Sequence, residues 1–225
     1  MRAGADLVAV HRRPAEEIAG PLARLASCAA RCSVRFESVQ ADLTHLTSIP
    51  RIFEASARIG GCNLLVNAAS IFVRGTLSEL SDDRLQELVM TNLAAPTACC
   101  RAAIPQMRAS GGGAIVNILD VGGGAVPWKR GAAYCATRAG MAMLTRCLSL
   151  ELAPSIRVNA LAIGLTELSP ESADAQSPAM QAIPAGRPGK IDEITHAFMG
   201  LIDPELTMTG QILAVDGGRS LHSLP

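Results

Sequence analysis

Tyr134 and Arg138 are the side chains whose spacing first suggests chemistry. They lie four residues apart in a stretch with helical periodicity, so both project from one face of a helix. A cation beside a phenol lowers the pKa of that phenol from about 10, which is useful for a general acid that delivers a proton to a carbonyl oxygen. On these two residues alone, an ordinary aromatic at a helix start with a solvated arginine explains the pattern better.

Other motifs in the chain strengthen the chemical interpretation. The run from Asn63 to Ser70 ends a predicted strand in small residues, which let backbone lie close to a ligand. Asn92 lies in the middle of a predicted helix, where asparagine is a poor helix former, so a functional reason for it is attractive. Asp120 follows the apolar run Ala114–Leu119, shortly before the glycine-rich stretch that leads to Tyr134.

Short runs rich in Val, Ile and Leu alternate with longer amphipathic stretches, which predicts βα units around a parallel sheet buried on both faces. The predicted strands are Asp6–His11, Arg35–Gln40, Asn63–Asn67, Ala114–Leu119, Arg157–Ile163 and Gln211–Asp216. The predicted helices are Ala15–Ala30, Ile49–Ala57, Asp82–Arg108, Ala132–Leu152 and Ile191–Ile202. The stretch Glu167–Gly189 is too long for a simple connector, which indicates a lid or a mobile region near a site.

Composition narrows the class of protein. The chain has 225 residues, 49% of them apolar, which fits one large domain. Its 20 basic and 20 acidic side chains cancel, so we expect no nucleic-acid and no membrane partner. The seven cysteines are odd in number and show no paired CxxC spacing, which predicts reduced thiols and a cytoplasmic protein.

Taken in order, these motifs resemble the short-chain dehydrogenase/reductase family from about Gly4 to Leu221. Each motif is weak by itself, and the ordered series is specific. The resemblance implies a Rossmann-type α/β fold, with a doubly wound parallel sheet. It also implies hydride transfer between a nicotinamide and a carbonyl, an alcohol or a related double bond of a small molecule.

The resemblance assigns four catalytic residues. Tyr134 is the proton donor, Arg138 is its electrostatic partner, and Asn92 matches the asparagine that holds a water in the proton relay. Asp120 resembles the aspartate that replaces the catalytic serine in pteridine reductases, so the nearest likeness is to that branch and to the 3-ketoacyl-carrier reductases. Asp120 lies 14 positions before Tyr134, one more than usual, and we expect Gly122–Gly124 to absorb the extra residue.

The resemblance also implies a dinucleotide cofactor. Asp42 matches the aspartate that contacts adenine, and Arg12 and Arg13 follow the strand where the family selects its cofactor. Two cations there suit a 2′-phosphate, so we expect NADP as the cofactor, with NAD as the alternative. A solvated turn explains the two arginines about as well. The expected cofactor-binding residues are Arg12, Arg13, Asp42, Leu43, Asn67, Ala68, Ala69, Tyr134, Arg138, Gly164 and Thr166.

Two features depart from the family pattern. Arg138 stands where the family has lysine; it keeps the positive charge but cannot release a proton, so we expect a weakened relay. The residues that resemble the family's second strand already lie at the start of the chain, so we expect the first strand and its Gly-x-x-x-Gly-x-Gly turn to be missing. That turn supplies the amides that bind the pyrophosphate, and neither Gly111–Gly113 nor Gly122–Gly124 is placed to replace it.

Two interpretations stay open. In one, the coding sequence begins upstream of Met1 and the complete protein is a reductase. In the other, the chain is a repurposed member that binds dinucleotide poorly, such as a silent scaffold or a regulatory subunit. The resemblance implies a homodimer or homotetramer through the helix carrying Met141, Leu144 and Leu148 and the helix after Lys190, although core packing explains the apolar spacing equally well.

Overall fold

The computed structural model describes residues 4–121 and 126–221. Six strands lie in these residues: β1 (Leu7–His11), β2 (Phe36–Gln40), β3 (Leu64–Asn67), β4 (Gly113–Asp120), β5 (Ile156–Ile163) and β6 (Ile212–Val215). The α-helices are α1 (Ala19–Arg31), α2 (Ile49–Arg58), α3 (Asp82–Val89), α4 (Ala95–Ala109), α5 (Ala132–Leu152), α6 (Pro178–Gln181) and α7 (Ile191–Ile202). Short 3₁₀ turns lie at Ala15–Ile18, Leu46–Ser48, Leu77–Glu79, Pro170–Ala173 and Arg219–Leu221.

All the strand pairs are parallel, but they form two separate sheets. One sheet holds β1 and β2, and the other has the order β3-β4-β5-β6. Within the described residues no strand lies between β1 and β3, and Val10 on β1 and Val66 on β3 are each 40% exposed. An apolar side chain in the interior of a doubly wound sheet is normally covered on both faces, so the exposure of these valines marks the break between the two sheets.

Helices cover the four-stranded sheet on both faces. Helices α2 and α4 pack on one face in a core cluster with Ile115 and Val158, and α5 packs farther along the same face, against Leu119. The opposite face carries Val116 and Leu161 against α7. Successive residues of β4 and β5 therefore enter opposite clusters, as the period of two in a strand requires. The predicted Rossmann-type α/β fold is confirmed.

The predicted strand bounds agree with the structure to within one residue at each end. The long helix predicted over Asp82–Arg108 is wrong in one respect, because it is not one continuous α-helix. A π-helical segment, Met90–Ala94, separates α3 from α4, and it contains Asn92. The stretch Glu167–Gly189 is also partly structured: it contains the 3₁₀ turn Pro170–Ala173 and helix α6. No helix among the described residues has the length and apolarity to span a membrane.

The residues proposed as subunit contacts on α5 pack inward. Met141 is only 2% exposed, and Leu144 and Leu148 are partly buried against core clusters. The sequence left core packing and a subunit interface equally open for these three side chains, and the structure places them in the core. The large apolar side chains of α5 that are exposed are Met143 and Leu150.

Candidate active site

The carboxyl ends of the strands bring the predicted site residues to one edge of the sheet. Asn67 ends β3, Asp120 ends β4 and Gly164 follows β5, and the parallel register pairs Asn67 with Asn117 and Asp120 with Ile163. Ligands of open α/β sheets bind outside the carboxyl ends of the strands. Gly111–Gly113 lie at the opposite edge, before β4, where Gly113 N donates to Ser155 O at 3.1 Å. They are therefore on the wrong side of the sheet to hold a dinucleotide bound at this site.

Tyr134 lies in the first turn of α5 and is only 4% exposed. Its hydroxyl donates a hydrogen bond to Oδ2 of Asp120, so the structure brings together the predicted acid and the predicted aspartate. Gly122–Gly124, expected to absorb the extra residue between them, lie outside the described residues. The last residue of β4 and the first turn of α5 thus fix the phenol.

Arg138 lowers the pKa of Tyr134, as the sequence led us to expect, but the net shift of that pKa is upward. The pKa of Tyr134 is raised to about 12 in total: burial is the largest cause and raises it, Arg138 lowers it, and the hydrogen bond to Asp120 and the charge of Asp120 raise it. Desolvation and a neighbouring carboxylate both disfavour the phenolate, and together they outweigh one guanidinium. Tyr134 is therefore a phenol that holds its proton at neutral pH.

Arg138 is only 5% exposed and lies one helical turn after Tyr134. Its guanidinium carbon is 5.1 Å from the centroid of the Tyr134 ring, within the range of a cation–π contact. Its Nε is buried without a hydrogen-bond partner in the structure. A buried donor without a partner is costly, so an acceptor from a bound ligand, such as a sugar hydroxyl, would stabilise this arrangement.

Asn92 lies in the π-helical segment and is fully buried. Its Oδ1 accepts from Ile71 N and its Nδ2 donates to Ile71 O, both at 2.9 Å. The two hydrogen bonds fix the backbone of the segment that follows β3. Its Nδ2 is also 3.4 Å from Oγ1 of Thr137 on α5, so Asn92 joins the β3 loop to the helix of Tyr134.

Sequence reasoning missed Asn117 as a positioning residue. It is fully buried on β4; its Oδ1 accepts from Asn67 Nδ2 and its Nδ2 donates to Thr145 Oγ1, both at 2.9 Å. Thr145 Oγ1 in turn donates to Met141 O within α5. The sequence did contain a signal for this role, namely a polar residue inside an otherwise apolar strand. A buried amide is normally hydrogen-bonded, so its presence there indicates polar partners nearby.

Sequence reasoning also missed an aromatic cluster on Tyr134, formed by Phe72 and Trp128. The Trp128 ring is stacked on the Tyr134 ring, with centroids 5.8 Å apart and planes inclined by 14°. Phe72 meets both rings nearly perpendicularly, at 4.9 Å from Tyr134 and 5.8 Å from Trp128. No short-range pattern signals this cluster, because Phe72 follows β3 and Trp128 precedes α5.

The predicted adenine-side residues lie after β1 and β2. Asp42 Oδ1 accepts from the backbone N and the hydroxyl of Thr44, and these hydrogen bonds hold the pKa of Asp42 below its usual value. Leu43 packs partly into the core, so its backbone is the part left for a cofactor. Arg12 and Arg13 are exposed, and Arg12 Nη1 lies 3.4 Å from Oε1 of Glu87 on α3.

Some of the remaining predicted cofactor residues are exposed to a ligand, whereas others have a structural role in the fold. Ala68 and Ala69 are exposed beyond β3, as expected for backbone that meets a ligand. A Cβ on Gly164 would lie 2.6 Å from Cα of Asp216, so close packing already requires glycine there. Thr166 makes a β-bridge with Gly189, and its backbone N donates to Ser169 Oγ at 3.1 Å. The structure gives Gly164 a packing role and ties Thr166 to the stretch Glu167–Gly189.

The described residues suit the two ends of a nicotinamide dinucleotide better than its middle. Arg138 offers a buried donor beside Tyr134, which suits the hydroxyls of a ribose. In residues 4–121 and 126–221, no turn from a strand to a helix carries the Gly-x-x-x-Gly-x-Gly pattern that would bind a pyrophosphate. The chain's own residues therefore provide groups for the reactive end and for the adenine end.

The fold and site define an α/β protein with a buried tyrosine, hydrogen-bonded to an aspartate, at the carboxyl edge of a parallel sheet. A family model described as Enoyl-(Acyl carrier protein) reductase matches residues 1–220. The chain belongs to the short-chain dehydrogenase/reductase family, whose members transfer hydride with a nicotinamide cofactor.

Known relatives support this assignment. Carbonyl reductase family member 4 of Danio rerio is 36% identical over 183 residues, which cover 80% of this chain and 76% of the relative. 3beta-hydroxysteroid dehydrogenase 1 of Eggerthella lenta is 33% identical over 194 residues, covering 82% and 74%. A gluconate 5-dehydrogenase of Burkholderia cenocepacia, solved in complex with NADP and tartrate, superposes with a TM-score of 0.85 at 28% identity, covering 98% and 88%.

Proposed function

We propose that the chain is an NADP-preferring oxidoreductase that interconverts a small-molecule carbonyl and the corresponding alcohol. The observation that carries the proposal is the buried Tyr134 hydroxyl, which Asp120 holds by a hydrogen bond and which Arg138 flanks at 5.1 Å from the ring centroid. A phenol whose pKa is raised to about 12 keeps its proton until an acceptor with developing negative charge takes it.

In the direction of reduction, a nicotinamide held beside Tyr134 and Arg138 would supply the hydride for the carbonyl carbon. The carbonyl oxygen replaces Asp120 as the acceptor of the Tyr134 hydrogen bond and takes the phenolic proton. Arg138 stabilises the phenolate that remains, because its charge lies over the ring. In the reverse direction Tyr134, as phenolate, accepts the proton of the alcohol.

The preference for NADP is supported by the two arginines after β1. Arg12 and Arg13 are both exposed beyond the carboxyl end of that strand, where they are accessible to a 2′-phosphate. Glu87 opposes this preference, because its carboxylate lies 3.4 Å from Arg12. An exposed ion pair of this kind is worth at most about 1 kcal/mol, so a phosphate dianion can displace Glu87.

The proposal also includes a homodimer or homotetramer in the cytoplasm. Leu77, Leu85 and Val89 are exposed around an apolar groove of about 370 Å³ that α5 completes with Ala132, Ala133 and Ala136. Exposed apolar side chains grouped in this way are typical of a contact between subunits. Mass photometry of the purified chain tests the oligomer, and a monomer at micromolar concentration would contradict it.

The alternative is a catalytically silent member that serves as a scaffold or regulatory subunit. Two observations favour it: arginine at the position of the family's lysine, and the lack of a pyrophosphate-binding turn in the described residues. Calorimetric titration with NADPH and NADH separates the two functions. If the chain is the proposed enzyme, it should bind NADPH more tightly than NADH. If the folded protein binds neither dinucleotide, the enzyme proposal is contradicted.

A tyrosine variant tests the chemistry. Tyr134→Phe removes the proton donor and keeps the ring between Trp128 and Arg138, so NADPH should still bind. Carbonyl reduction should fall by roughly 10²- to 10⁴-fold, the range for loss of a general acid. Reduction at the unaltered rate in this variant would rule out the proposed role of Tyr134.

A further inference from the structure

Aromatic residues are scarce in this chain and concentrated at Tyr134. The sequence contains one tryptophan, one tyrosine and four phenylalanines, and three of these six rings contact one another at the site. Phe72 is 53% exposed, although a phenyl ring is normally buried. An exposed ring 4.9 Å from the ring of the proton donor is well placed to meet the substrate.

The backbone on both sides of the cluster is held in place. Asn92 fixes Ile71, the neighbour of Phe72, with two hydrogen bonds. A Cβ on the buried Gly131 would lie 3.1 Å from Cβ of Trp128, so glycine there leaves space for the tryptophan. Asn92 therefore holds the segment that presents the exposed ring, and Gly131 leaves room for the side chain that carries the stacked ring.

An ion pair joins the two segments. Arg130 Nη2 lies 2.6 Å from Oε2 of Glu79, and Gly75 N donates to Arg130 O at 2.9 Å. Arg130 has a φ of 61°, a conformation that a non-glycine residue adopts only where its surroundings hold it there. These contacts tie the Trp128 segment to the Phe72 segment across the site.

We propose that Phe72 and Trp128 are specificity-determining residues that select a substrate with a flat aromatic ring next to its alcohol or ketone carbon. This inference rests on the proposed function, because Tyr134 must reach the oxygen on that carbon. A substrate ring beside Phe72 adds an aromatic pair, which is worth about 0.5–1.5 kcal/mol beyond burial, or roughly 2- to 12-fold in specificity. An open-chain substrate of equal carbon number gains no such pair.

The test compares 1-phenylethanol with 2-octanol, two secondary alcohols of eight carbons each. The ratio of their kcat/KM values with NADP should favour 1-phenylethanol in the wild type. Phe72→Leu and Trp128→Leu should each lower that ratio roughly 2- to 12-fold. Phe72→Tyr keeps the ring and should keep the ratio, and Phe198→Leu on α7 is the control for loss of a ring on the other face of the sheet.

A second measurement does not depend on turnover. Trp128 is the only tryptophan, so tryptophan fluorescence reports binding at this cluster directly. In the wild type, 1-phenylethanol should change the emission at lower concentration than 2-octanol, and Phe72→Leu should abolish that difference. The wild-type preference seen by fluorescence without turnover would support the ring site and contradict the proposed enzyme.

Turnover of both alcohols without a preference, or a preference that survives Phe72→Leu, would overturn the inference and leave the enzyme proposal standing. If neither alcohol binds and neither is turned over, both the inference about the aromatic cluster and the enzyme proposal are overturned.

Discussion

The hydroxyl of Tyr134 donates a hydrogen bond to Oδ2 of Asp120, the last residue of β4. Because the phenol is buried beside a carboxylate, its pKa is raised to about 12, in spite of the Arg138 guanidinium over its ring. At pH 7 only about one phenol in 10⁵ is ionised at such a pKa. Tyr134 therefore keeps its proton at neutral pH, which under the proposed function favours reduction.

The first prediction follows from this raised pKa. Oxidation of an alcohol needs Tyr134 as phenolate, so its rate should rise about tenfold per pH unit below pH 12, whereas reduction needs the phenol and should not rise. Asp120→Asn removes a charge that raises the pKa, so the rise in oxidation should occur at lower pH. Initial rates from pH 6 to 10 measure both. Asp192→Asn on α7 is the exposed control, and a wild-type oxidation rate that levels off below pH 9 would contradict the raised pKa.

The second prediction concerns the lysine-to-arginine change. Arg138→Lys replaces a group that cannot release a proton with one that can, and it removes the buried Nε that has no partner. We expect kcat for reduction to rise about tenfold or more, within the range for a restored proton relay. Arg146→Lys, exposed on the same helix, should change nothing. A lower kcat in Arg138→Lys would mean that the guanidinium itself is required.

The third prediction concerns the π-helical segment. Asn92→Ala removes both hydrogen bonds to Ile71, which should cost about 1–3 kcal/mol and lower Tm by about 2–10 °C. KM for the substrate should rise as well, because Phe72 follows Ile71. Thermal unfolding monitored by circular dichroism gives Tm. Thr97→Ala on the exposed side of α4 is the control, and an equal loss there would show that the effect is not specific to Asn92.

The fourth prediction concerns the buried amide chain. Asn117→Leu leaves Asn67 and Thr145 without their partner, which should cost about 2–4 kcal/mol of unfolding free energy and raise KM for the cofactor. Adding Thr145→Val to that variant should cost less than it does in the wild type, because the hydrogen bond between Asn117 and Thr145 is already lost there. Denaturant unfolding of the four proteins measures the coupling. Strictly additive losses would show that the two side chains act independently.

The fifth prediction concerns cofactor choice. Glu87→Gln frees Arg12 from its ion pair, so affinity for NADPH relative to NADH should rise about 2- to 5-fold. Arg12→Ala should lower the same ratio. Calorimetry at low and high salt measures the affinity for NADPH relative to NADH, and the difference between the variants should be smaller at high salt. Glu205→Gln, exposed before β6, is the control. An unchanged NADPH to NADH ratio in Glu87→Gln would separate Arg12 from cofactor selection.

Local patterns in the sequence determined the βα order and the strand bounds, because the period of apolar residues reports which face of each element is buried. The family was indicated by the ordered series of motifs that resembles it. That resemblance also predicted Tyr134, Arg138, Asp120 and Asn92 as a set, since each is marked by a motif close to it in the chain. Long-range packing decided the environment of these residues. The net direction of the Tyr134 pKa depends on burial and on the distance to Asp120, neither of which spacing encodes.

The same reason explains what sequence reasoning missed. The contact of Phe72 with Trp128 joins positions 56 residues apart, and the hydrogen bond of Asn67 to Asn117 spans 50 residues. Single-sequence patterns register neighbours along a helix or strand, whereas these contacts exist only once β3, β4 and α5 are packed together. The sequence thus determined which groups are available for chemistry, and the tertiary structure decided how they are charged, covered and held, because burial and distance arise only on folding.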